Sequence, residues 1–311
     1  MRSNEADICV VGTNTYLIGQ TTPYILVDTG EGKESYVPVL DEALGSSIND
    51  SGVPEIGDII LTHMHHDHTN GLPSVLAILQ RRWADKHPGA PFSAPRIHKL
   101  PLMTPRLSAV LDILPQDSFI PNVSGGALHD LYEGKTFTVT ASDSDASGMS
   151  LEIVHTPGHT PDSLCLFFPA DRALFTADTV LGHSSTVFED LGEYMASLRK
   201  LVAFNGAGPV RKYDTLYPGH GPTVPHDHVG MYLQHRVDRE NQVLQAIRMP
   251  PLEGESWTTW TLVQNIYARY PKDLWEPAAQ SVDLHLKKLE AEGKVQRLGG
   301  EERHVQWKLL A

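Results

Sequence analysis

The sequence predicts an α/β (α+β) fold with a small helical unit at its C-terminal end. Three observations support this prediction. Short apolar runs rich in Val, Ile and Leu recur and end at Gly, Pro or Asp, which is typical of strands that end at turns. Segments with apolar residues at helical spacings of three and four lie between these runs. After residue 225 the strand-like runs give way to helical patterns, so the chain changes character there.

The strand-like and helix-like segments alternate along the first two thirds of the chain. We therefore expect helices to cover both faces of the sheets. The stretch 100–128 is punctuated by Pro and Gly without a clean period, which predicts an insertion or long loop that covers a site. The predicted strands are NTYLIG, YILVDTG, DIILTH, TFTVTAS, LEIVHTPGH, SLCLFF, ALFTADTVLG and TLYPGHG, and the predicted helices are SYVPVLDEALGSS, LPSVLAILQRRWADKH and EYMASLRKLVAFN.

The last part of the chain predicts a winged-helix-like unit over residues 225–311, beside a larger domain over 1–224. Residues 226–247 form one helical pattern, TLVQNIYARY and AAQSVDLHLKKLEAEGKV form two more, and a hairpin turns around Gly299 and Gly300. Such units bind DNA or serve in packing and dimerisation, so the fold alone does not decide between these functions. The recognition-helix candidate, SVDLHLKKLEAEG, carries acidic residues beside its two lysines, which does not favour DNA binding.

Composition and charge narrow the class of protein. The 311 residues carry a formal net charge of −13, which argues against non-specific binding to nucleic acid. The two cysteines, Cys9 and Cys165, lie in apolar strand-like runs and are expected to be buried free thiols. No apolar stretch approaches the length of a membrane span, and the N-terminus lacks a secretory apolar segment. We expect a soluble cytoplasmic protein with no membrane partner.

The segment LTHMHHDHTNG, directly after the apolar run DIIL, concentrates groups that bind metals. His63 and His65 are two residues apart, so in extended backbone both side chains face one point. Asp67 and His68 follow on the next turn and face a neighbouring point. Imidazoles and carboxylates are suitable ligands for first-row metals. The ordinary alternative is a solvated loop rich in histidine.

Three isolated residues further along the chain extend this set. His159 lies in HTPGHTPDS, Asp178 in LFTADTVLG and His220 in LYPGHGP, each at the end of a predicted strand. Alone, each is equally well a turn histidine or a capping aspartate. Together with the first cluster they give seven ligands, about the number that two metals sharing a carboxylate require. The predicted ligands are His63, His65 and His159 for one metal, Asp67, His68 and His220 for the other, and Asp178 as the bridge.

The motifs THMHHDH, TPGHT, TAD and YPGHG resemble the signature motifs of the metallo-β-lactamase superfamily, over residues 13–224. This resemblance implies a four-layer αββα sandwich with the metals at one edge, and makes 1–224 the catalytic domain. The motif VDTG also matches, which implies that Asp28 supports the metal site from beneath. A simple turn-forming role for Asp28 is compatible with that function.

A narrower resemblance concerns TADTVLGHSSTVFEDLGEYMASLRKL and the C-terminal tail. It points to a branch with animal endoribonuclease-like proteins and fungal thioesterases of the atrochrysone carboxyl carrier-protein type. The runs NTYLIG, VDTGEGK and YPGHGP look most like the fungal group. The resemblance implies a dinuclear thioesterase of secondary metabolism that releases a polyketide from the acyl carrier protein domain of a polyketide synthase. Hydrolysis and Claisen-type ring closure both remain open.

The expected mechanism uses water, activated by two divalent metal ions, with zinc as the default and manganese or iron as alternatives. Asp67 is expected to orient that water or accept its proton, and His183 in GHS is a candidate substrate contact or an ordinary loop histidine. A basic patch for an acidic carrier protein, or simply solvated charge, is expected at four cations. These are Arg211, Lys212, Arg236 and Arg239.

Other functions fit the same motifs. A phosphodiesterase acting on RNA requires two metals but also a track of cationic groups, and the chain shows no run of Lys or Arg. A hydroxyacyl-glutathione hydrolase is a second alternative, and a lactamase proper is a weaker one. A metal-free scaffold is the alternative without enzyme activity, but all seven ligands are present.

Overall fold

Two β-sheets stack face to face, and helices cover the outer face of each, in the computed structural model of the chain. The structure describes residues 12–45, 52–140, 149–206, 210–251, 254 and 256–310. Cys9, predicted to be a buried thiol, lies outside these residues. Cys165 is buried and free, as predicted.

The first sheet contains β1 (Tyr16–Ile18), β2 (Tyr24–Val27), β3 (Ile56–Ile60), β4 (Arg96–Lys99) and β5 (Leu128–Asp130), in that order. Strand β1 runs antiparallel to β2, and β2 to β5 are parallel. Parallel neighbours need crossover connections, and helices supply them. The helices of this half are α1 (Tyr36–Leu44), α2 (His66–Thr69), α3 (Leu72–Lys86) and α4 (Pro105–Asp112).

The second sheet contains β6 (Thr136–Thr138), β7 (Ser150–His155), β8 (Leu164–Phe168), β9 (Ala173–Ala177), β10 (Thr215–Pro218) and β11 (Val224–Pro225). All pairs are antiparallel except β9 with β10. Helix α5 (Leu191–Asn205) connects these two parallel strands. Every residue of β8 and β9 is buried, which explains their continuous apolar sequences.

Strand β8 shows how alternating side chains build two cores. Leu164 and Leu166 point between the two sheets, where they meet Ile25 and Ile60 of the first sheet. Cys165 points to the opposite face, in the core formed with helix α5. A third core lies between the first sheet and helices α1, α3 and α4. The order of layers is therefore helix, sheet, sheet, helix, so the predicted αββα sandwich is confirmed.

The C-terminal unit has its own core. It contains β12 (Trp257–Thr258), α7 (Thr259–Ile266), α8 (Trp275–Ala291), β13 (Val295–Gly299) and β14 (Gln306–Leu309). The second half of α6 (His228–Arg248) packs in this core, whereas its first half packs in the core formed with helix α5. The three strands form a small sheet in the order β12-β14-β13. Three helices and a hairpin make a winged helix, as the sequence predicted. Trp257 and Trp307 are buried against the three helices.

The stretch 100–128 differs from its prediction as a long loop. It contains helix α4, which begins at Pro105, and Thr104 caps that helix by accepting a hydrogen bond from the backbone of Leu107. Pro is favoured at the first helical position, so the residue that argued against a helix in fact starts one. Helix α4 contacts α2, the short helix of the histidine motif.

Candidate metal centre

Five strands of the two sheets deliver polar side chains to one edge of the sandwich. Asp28 follows β2, His63 follows β3, and His159 follows β7. Asp178 and His220 follow the parallel strands β9 and β10. Because these strands all run in the same direction within their sheets, their carboxyl ends lie together. Residues distant in sequence therefore meet at this edge.

A first group of ligand atoms comes from His63, His65, His159 and Asp178. The His159 Nε2 atom lies 3.3 Å from His63 Nε2 and 3.0 Å from His65 Nδ1. The Asp178 Oδ2 atom is 3.6 Å from His159 Nε2. Three ring nitrogens and one carboxylate oxygen thus converge on one point. This grouping matches the first predicted ligand set together with its bridge.

A second group comes from Asp67, His68 and His220. The His220 Nε2 atom is 3.1 Å from Asp67 Oδ2 and 3.4 Å from Asp178 Oδ2. The other oxygen of Asp178, Oδ1, is 3.4 Å from His68 Nε2. Asp178 therefore faces both groups, which is the position that a bridging carboxylate requires.

Asp28 holds His68 in a fixed orientation. Its Oδ2 atom lies 2.7 Å from His68 Nδ1, and its two oxygens also accept hydrogen bonds from the backbone N–H and the hydroxyl of Thr62, both at 2.8 Å. Asp28 adopts a left-handed backbone conformation with φ of 60°, which Asp tolerates better than most residues. A proton on Nδ1 leaves the Nε2 lone pair directed at the centre, as in metal sites with a carboxylate behind the histidine.

Burial and neighbouring charges set the protonation of the first group. Burial lowers the pKa of His63 well below its ordinary value, helped by the nearby histidines. Burial and the neighbouring His159 lower the pKa of His65 to about 4. Both rings are therefore neutral at pH 7, and a neutral imidazole is the form that binds a metal.

In the second group the pKa values of the histidines are raised, because carboxylates surround the rings. Burial opposes protonation of His68, but the charges of Asp28 and Asp178 raise its pKa well above the ordinary value. Burial likewise opposes the charge of His220, yet Asp178 and Asp67 raise its pKa to about 10. The pKa of Asp178 lies well below its usual range despite burial, because of His68 and His220. These carboxylates stabilise positive charge at this point.

The donor set fits divalent metal ions. Five imidazoles and two carboxylates face two adjacent points, a set suited to zinc and also compatible with manganese or iron. Within the described ranges, His68 Nε2 and Asp178 Oδ1 are buried without a hydrogen-bond partner. A Cβ atom on Gly219 would lie 2.3 Å from Asp178 Oδ1, so only glycine leaves room there. The seven residues would be the ones to hold metal.

Several contacts around the centre were not found from the sequence. The Thr13 hydroxyl donates to Asp67 Oδ2 at 3.1 Å, and the Asn14 amide ties the chain to the turn of His220 through Gly221 O at 2.7 Å. The buried pair Lys99 and Asp162 joins β4 to the loop after His159. Thr and Asn in a loop, or a Lys in a strand, give no sequence signal of such roles.

His183 lies on the exposed surface beside this centre. A Cβ atom on Gly221 would meet its ring at 3.2 Å, which places His183 next to the turn that carries His220. A contact between His183 and a substrate stays a prediction.

The expected basic patch is wrong for Arg236. This side chain is buried, with its guanidinium 4.9 Å from the centre of the Phe188 ring. Arg239 is half-buried over the ring of Tyr267, whereas Arg211 and Lys212 are exposed. The four cations do not form one surface, because the helix that carries two of them turns those side chains toward the protein.

Comparisons with known proteins identify the families that match the two parts of the chain. The model of the Metallo-beta-lactamase superfamily matches residues 10–229, and that of the Beta-lactamase associated winged helix domain matches residues 258–307. Helix α6 connects the two matched regions, and the predicted boundary between 224 and 225 stays a prediction. Among the described helices, none is both long enough and apolar enough to cross a membrane.

Individual relatives cover most of the chain. The Beta-lactamase-like protein 2 homolog of Drosophila melanogaster is 34% identical over 94% of this chain and 87% of its own length. The Atrochrysone carboxyl ACP thioesterase of Aspergillus fumigatus is 29% identical over 87% of this chain and 73% of its own length. The crystal structure of a Beta-lactamase domain protein from Burkholderia ambifaria shares the fold, with a TM-score of 0.62, 16% sequence identity, and coverage of 96% of this chain and 87% of that chain.

Proposed function

The chain belongs to the metallo-β-lactamase superfamily, and from this premise we propose that it is a dinuclear metal-dependent thioesterase that releases a polyketide from an acyl carrier protein. The observation that carries the proposal is the pair of ligand groups that share Asp178. The similarity to a protein named as an ACP thioesterase supports the substrate class.

Cys165, the free thiol within the described residues, does not act as the nucleophile in this proposal. Cys165 is fully buried in the core beneath the second sheet, and burial raises the pKa of its thiol to about 11. A thiol in such surroundings is inert, because the thiolate is the reactive form. Water is therefore the nucleophile that the site favours.

The seven ligands would hold divalent ions, which would supply two kinds of chemistry when bound, a lower pKa for water and polarisation of the acyl carbonyl. The residues of the chain fix where this chemistry occurs. His63 and His65 offer neutral ring nitrogens at pH 7 because of their lowered pKa values. Asp28 and Thr62 hold His68 so that its Nε2 atom points inward.

In this mechanism Asp67 is better suited to orient the attacking water than to accept its proton. Partial burial raises the pKa of Asp67, but the hydrogen bond from His220 and the charge of His68 outweigh burial and hold it well below its usual range. A general base works best when its pKa lies near the working pH. A strongly acidic carboxylate is a hydrogen-bond acceptor for water, which favours the orienting half of the role predicted from the sequence.

The thioester suits a site without a strong acid. The leaving thiolate needs little protonation because a simple thiol has a pKa of about 8.5. A phosphodiester substrate would instead require cations along a nucleic-acid track. The two lysines of helix α8 are engaged elsewhere, since Lys287 pairs with Asp283 at 2.7 Å and Lys288 with Glu240 at 2.6 Å. Because these lysines are paired with carboxylates, they do not offer such a track, which favours a thioester over a phosphodiester as the substrate.

The test is release of an aromatic polyketide thioester, carried on an acyl carrier protein or on a short thiol surrogate. We expect the zinc-loaded protein to release it, and Asp67→Ala to slow release by at least about 10²-fold, the lower end of the range for removing a preorganised polar group. Asp171→Asn, an exposed aspartate that precedes β9 at the opposite end of that strand from Asp178, is the matched control and keeps full activity. Product analysis separates a free acid from a ring-closed product.

Two parallel substrates make the proposal refutable. Single-stranded RNA tests the phosphodiesterase alternative, and a hydroxyacyl-glutathione thioester tests the small-molecule alternative. Cleavage of RNA without thioester release, by protein that holds two metals, would overturn the thioesterase proposal. Turnover of only the glutathione thioester would overturn the carrier protein as partner.

A further inference from the structure

Helix α6, which leads into the winged-helix unit, contacts the loop that follows Asp178. We propose that Tyr232 and Arg236 are positioning residues that hold the loop between β9 and α5, residues 178–190, in the place where it orients His159. The inference deepens the proposed function, because it assigns helix α6 a role in the same site. It does not depend on the substrate being a thioester.

The β9–α5 loop fixes the orientation of His159. The backbone carbonyl of Val187 lies 2.6 Å from His159 Nδ1, so it accepts a hydrogen bond from the protonated form of that nitrogen. A proton on Nδ1 leaves the Nε2 lone pair facing His63 and His65. The loop is also tied to the bridging residue, because the Thr186 hydroxyl donates to the Asp178 carbonyl at 2.7 Å.

Residues 183–185 in the middle of this loop are exposed, whereas Thr186 and Phe188 after them are buried. Val187 is 77% exposed, and Ser184 adopts a left-handed backbone with φ of 58°, an unfavourable conformation for serine. A segment with few buried contacts opens easily unless something outside it holds it. The carbonyl that His159 needs therefore lies shortly after an exposed segment that requires support.

Helix α6 supplies that support from one face. The Tyr232 hydroxyl donates to the Ser184 carbonyl at 2.8 Å and accepts from the Leu181 backbone N–H at 3.2 Å. One turn later, Arg236 donates to the Ser185 hydroxyl and places its guanidinium over the Phe188 ring. Residues four apart on a helix share a face, so both side chains reach the loop together.

Burial of the Arg236 guanidinium is unfavourable, and its contact with the loop explains why the side chain lies there. It is 6% exposed, and within the described residues no carboxylate lies within ion-pair distance of its guanidinium. Its Nε atom is also buried without a partner in the described chain. A buried charge without a counter-charge is destabilising. The side chain is used instead to bind a serine of the loop and to cover an aromatic ring beside it.

The first experiment uses Tyr232→Phe, which removes only the hydroxyl. We expect about tenfold weaker zinc affinity, at the low end of the effect of removing an outer hydrogen bond at a metal site. Affinity is measured by competition with a chromogenic chelator, and the cobalt-substituted protein is examined by visible absorption. The expected result includes a changed cobalt spectrum, because one ligand of the first group is released from its fixed orientation.

Tyr213→Phe is the matched control. Tyr213 is buried and donates a hydrogen bond to the Leu201 carbonyl at 2.9 Å, away from the loop. We expect the two variants to lose similar stability but only Tyr232→Phe to lose zinc affinity. Arg236→Met should resemble Tyr232→Phe, and Arg236→Lys should recover part of the affinity because it keeps a donor.

A second measurement needs no metal. In the metal-free protein, ring nitrogen chemical shifts should show His159 protonated on Nδ1 in the wild type and in a mixture of tautomers in Tyr232→Phe. Wild-type zinc affinity, cobalt spectrum and tautomer in Tyr232→Phe would overturn the inference and leave α6 a packing element. Failure of thioester release would refute the proposed function while leaving these readouts unaffected.

Discussion

Two buried histidines, one in each unit, look alike in isolation and differ in what surrounds them. His68 and His285 are both fully buried, and each has a ring nitrogen without a hydrogen-bond partner within the described residues. Around His68 the chain collects the carboxylates of Asp28, Asp67 and Asp178. His285 instead has apolar packing on α8 and cations nearby, so the charge around the two rings has opposite sign.

The contrast shows what an unpartnered buried nitrogen means. The carboxylates raise the pKa of His68, so its surroundings attract a cation, whether a proton or a metal ion. Burial, followed by Arg236, Arg239 and Lys288, lowers the pKa of His285 to about 3, so that ring stays neutral. An orphaned nitrogen indicates a ligand only where negative groups and other donors converge on the same point. In the winged helix it is a packing residue.

The largest expected effect comes from removing the shared charge next to His68. Asp178→Asn keeps the size of the side chain but removes the carboxylate that faces both ligand groups, which leaves Asp67 as the one carboxylate among the seven ligands. We therefore expect metal loss and about 10³-fold lower kcat/KM for thioester release, equivalent to several kcal/mol of transition-state stabilisation. Metal content by mass spectrometry and steady-state rates check this. Asp171→Asn, which alters an exposed aspartate, is the control. Full metal and activity in Asp178→Asn would show that this carboxylate does not bridge.

A smaller effect is expected from the residue behind His68. Asp28→Asn keeps the backbone and the volume but weakens the hydrogen bond to Nδ1, so Nε2 is a weaker donor. We expect metal affinity to fall by about 10- to 100-fold, the range for such outer partners. Chelator competition measures it. An unchanged affinity would mean that the Asp28–His68 contact only stabilises the fold, which unfolding by urea would then reveal.

The smallest effect concerns His285 and the free energy of unfolding. Replacement by Leu removes two buried nitrogens without partners in the described chain, and we expect a gain of about 1 kcal/mol at pH 7. The pH dependence has a definite sign. Because the folded-state pKa is depressed to about 3, the unfolded chain binds a proton below about pH 6.5 while the folded chain does not. The free energy of unfolding therefore decreases, through His285, as pH falls from about 6.5 toward 3.

Urea unfolding of metal-free protein across this pH range tests the prediction. His285→Leu should lose less stability on acidification than the wild type. His304→Leu, at an exposed histidine, should follow the wild type and serves as the control. A steeper acid dependence in His285→Leu would mean that the ring is charged in the folded protein.

Much of the site was predictable because its ligands lie in short local patterns. The spacing of His63, His65, Asp67 and His68 follows from strand and turn geometry, and the other three ligands stand at strand ends marked by Gly, Pro or Thr. The resemblance to the metallo-β-lactamase superfamily added the prediction that Asp28 supports the metal site. The stretch 100–128 was less predictable, since Pro105 begins a helix there although prolines usually interrupt one.

The sequence by itself indicated the alternating strands and helices, the winged helix and the set of seven candidate ligands, because apolar period and motif spacing are local properties of the chain. The order of the four layers was implied by the resemblance to the superfamily. Only the tertiary structure decided which groups support them. Arg236, expected on a docking surface, is buried because α6 packs against Phe188 and Tyr194, more than 40 positions earlier. The pairing of Lys99 with Asp162 likewise spans 63 positions. Such partners meet only when distant segments of the chain pack together, so no local sequence pattern predicts them.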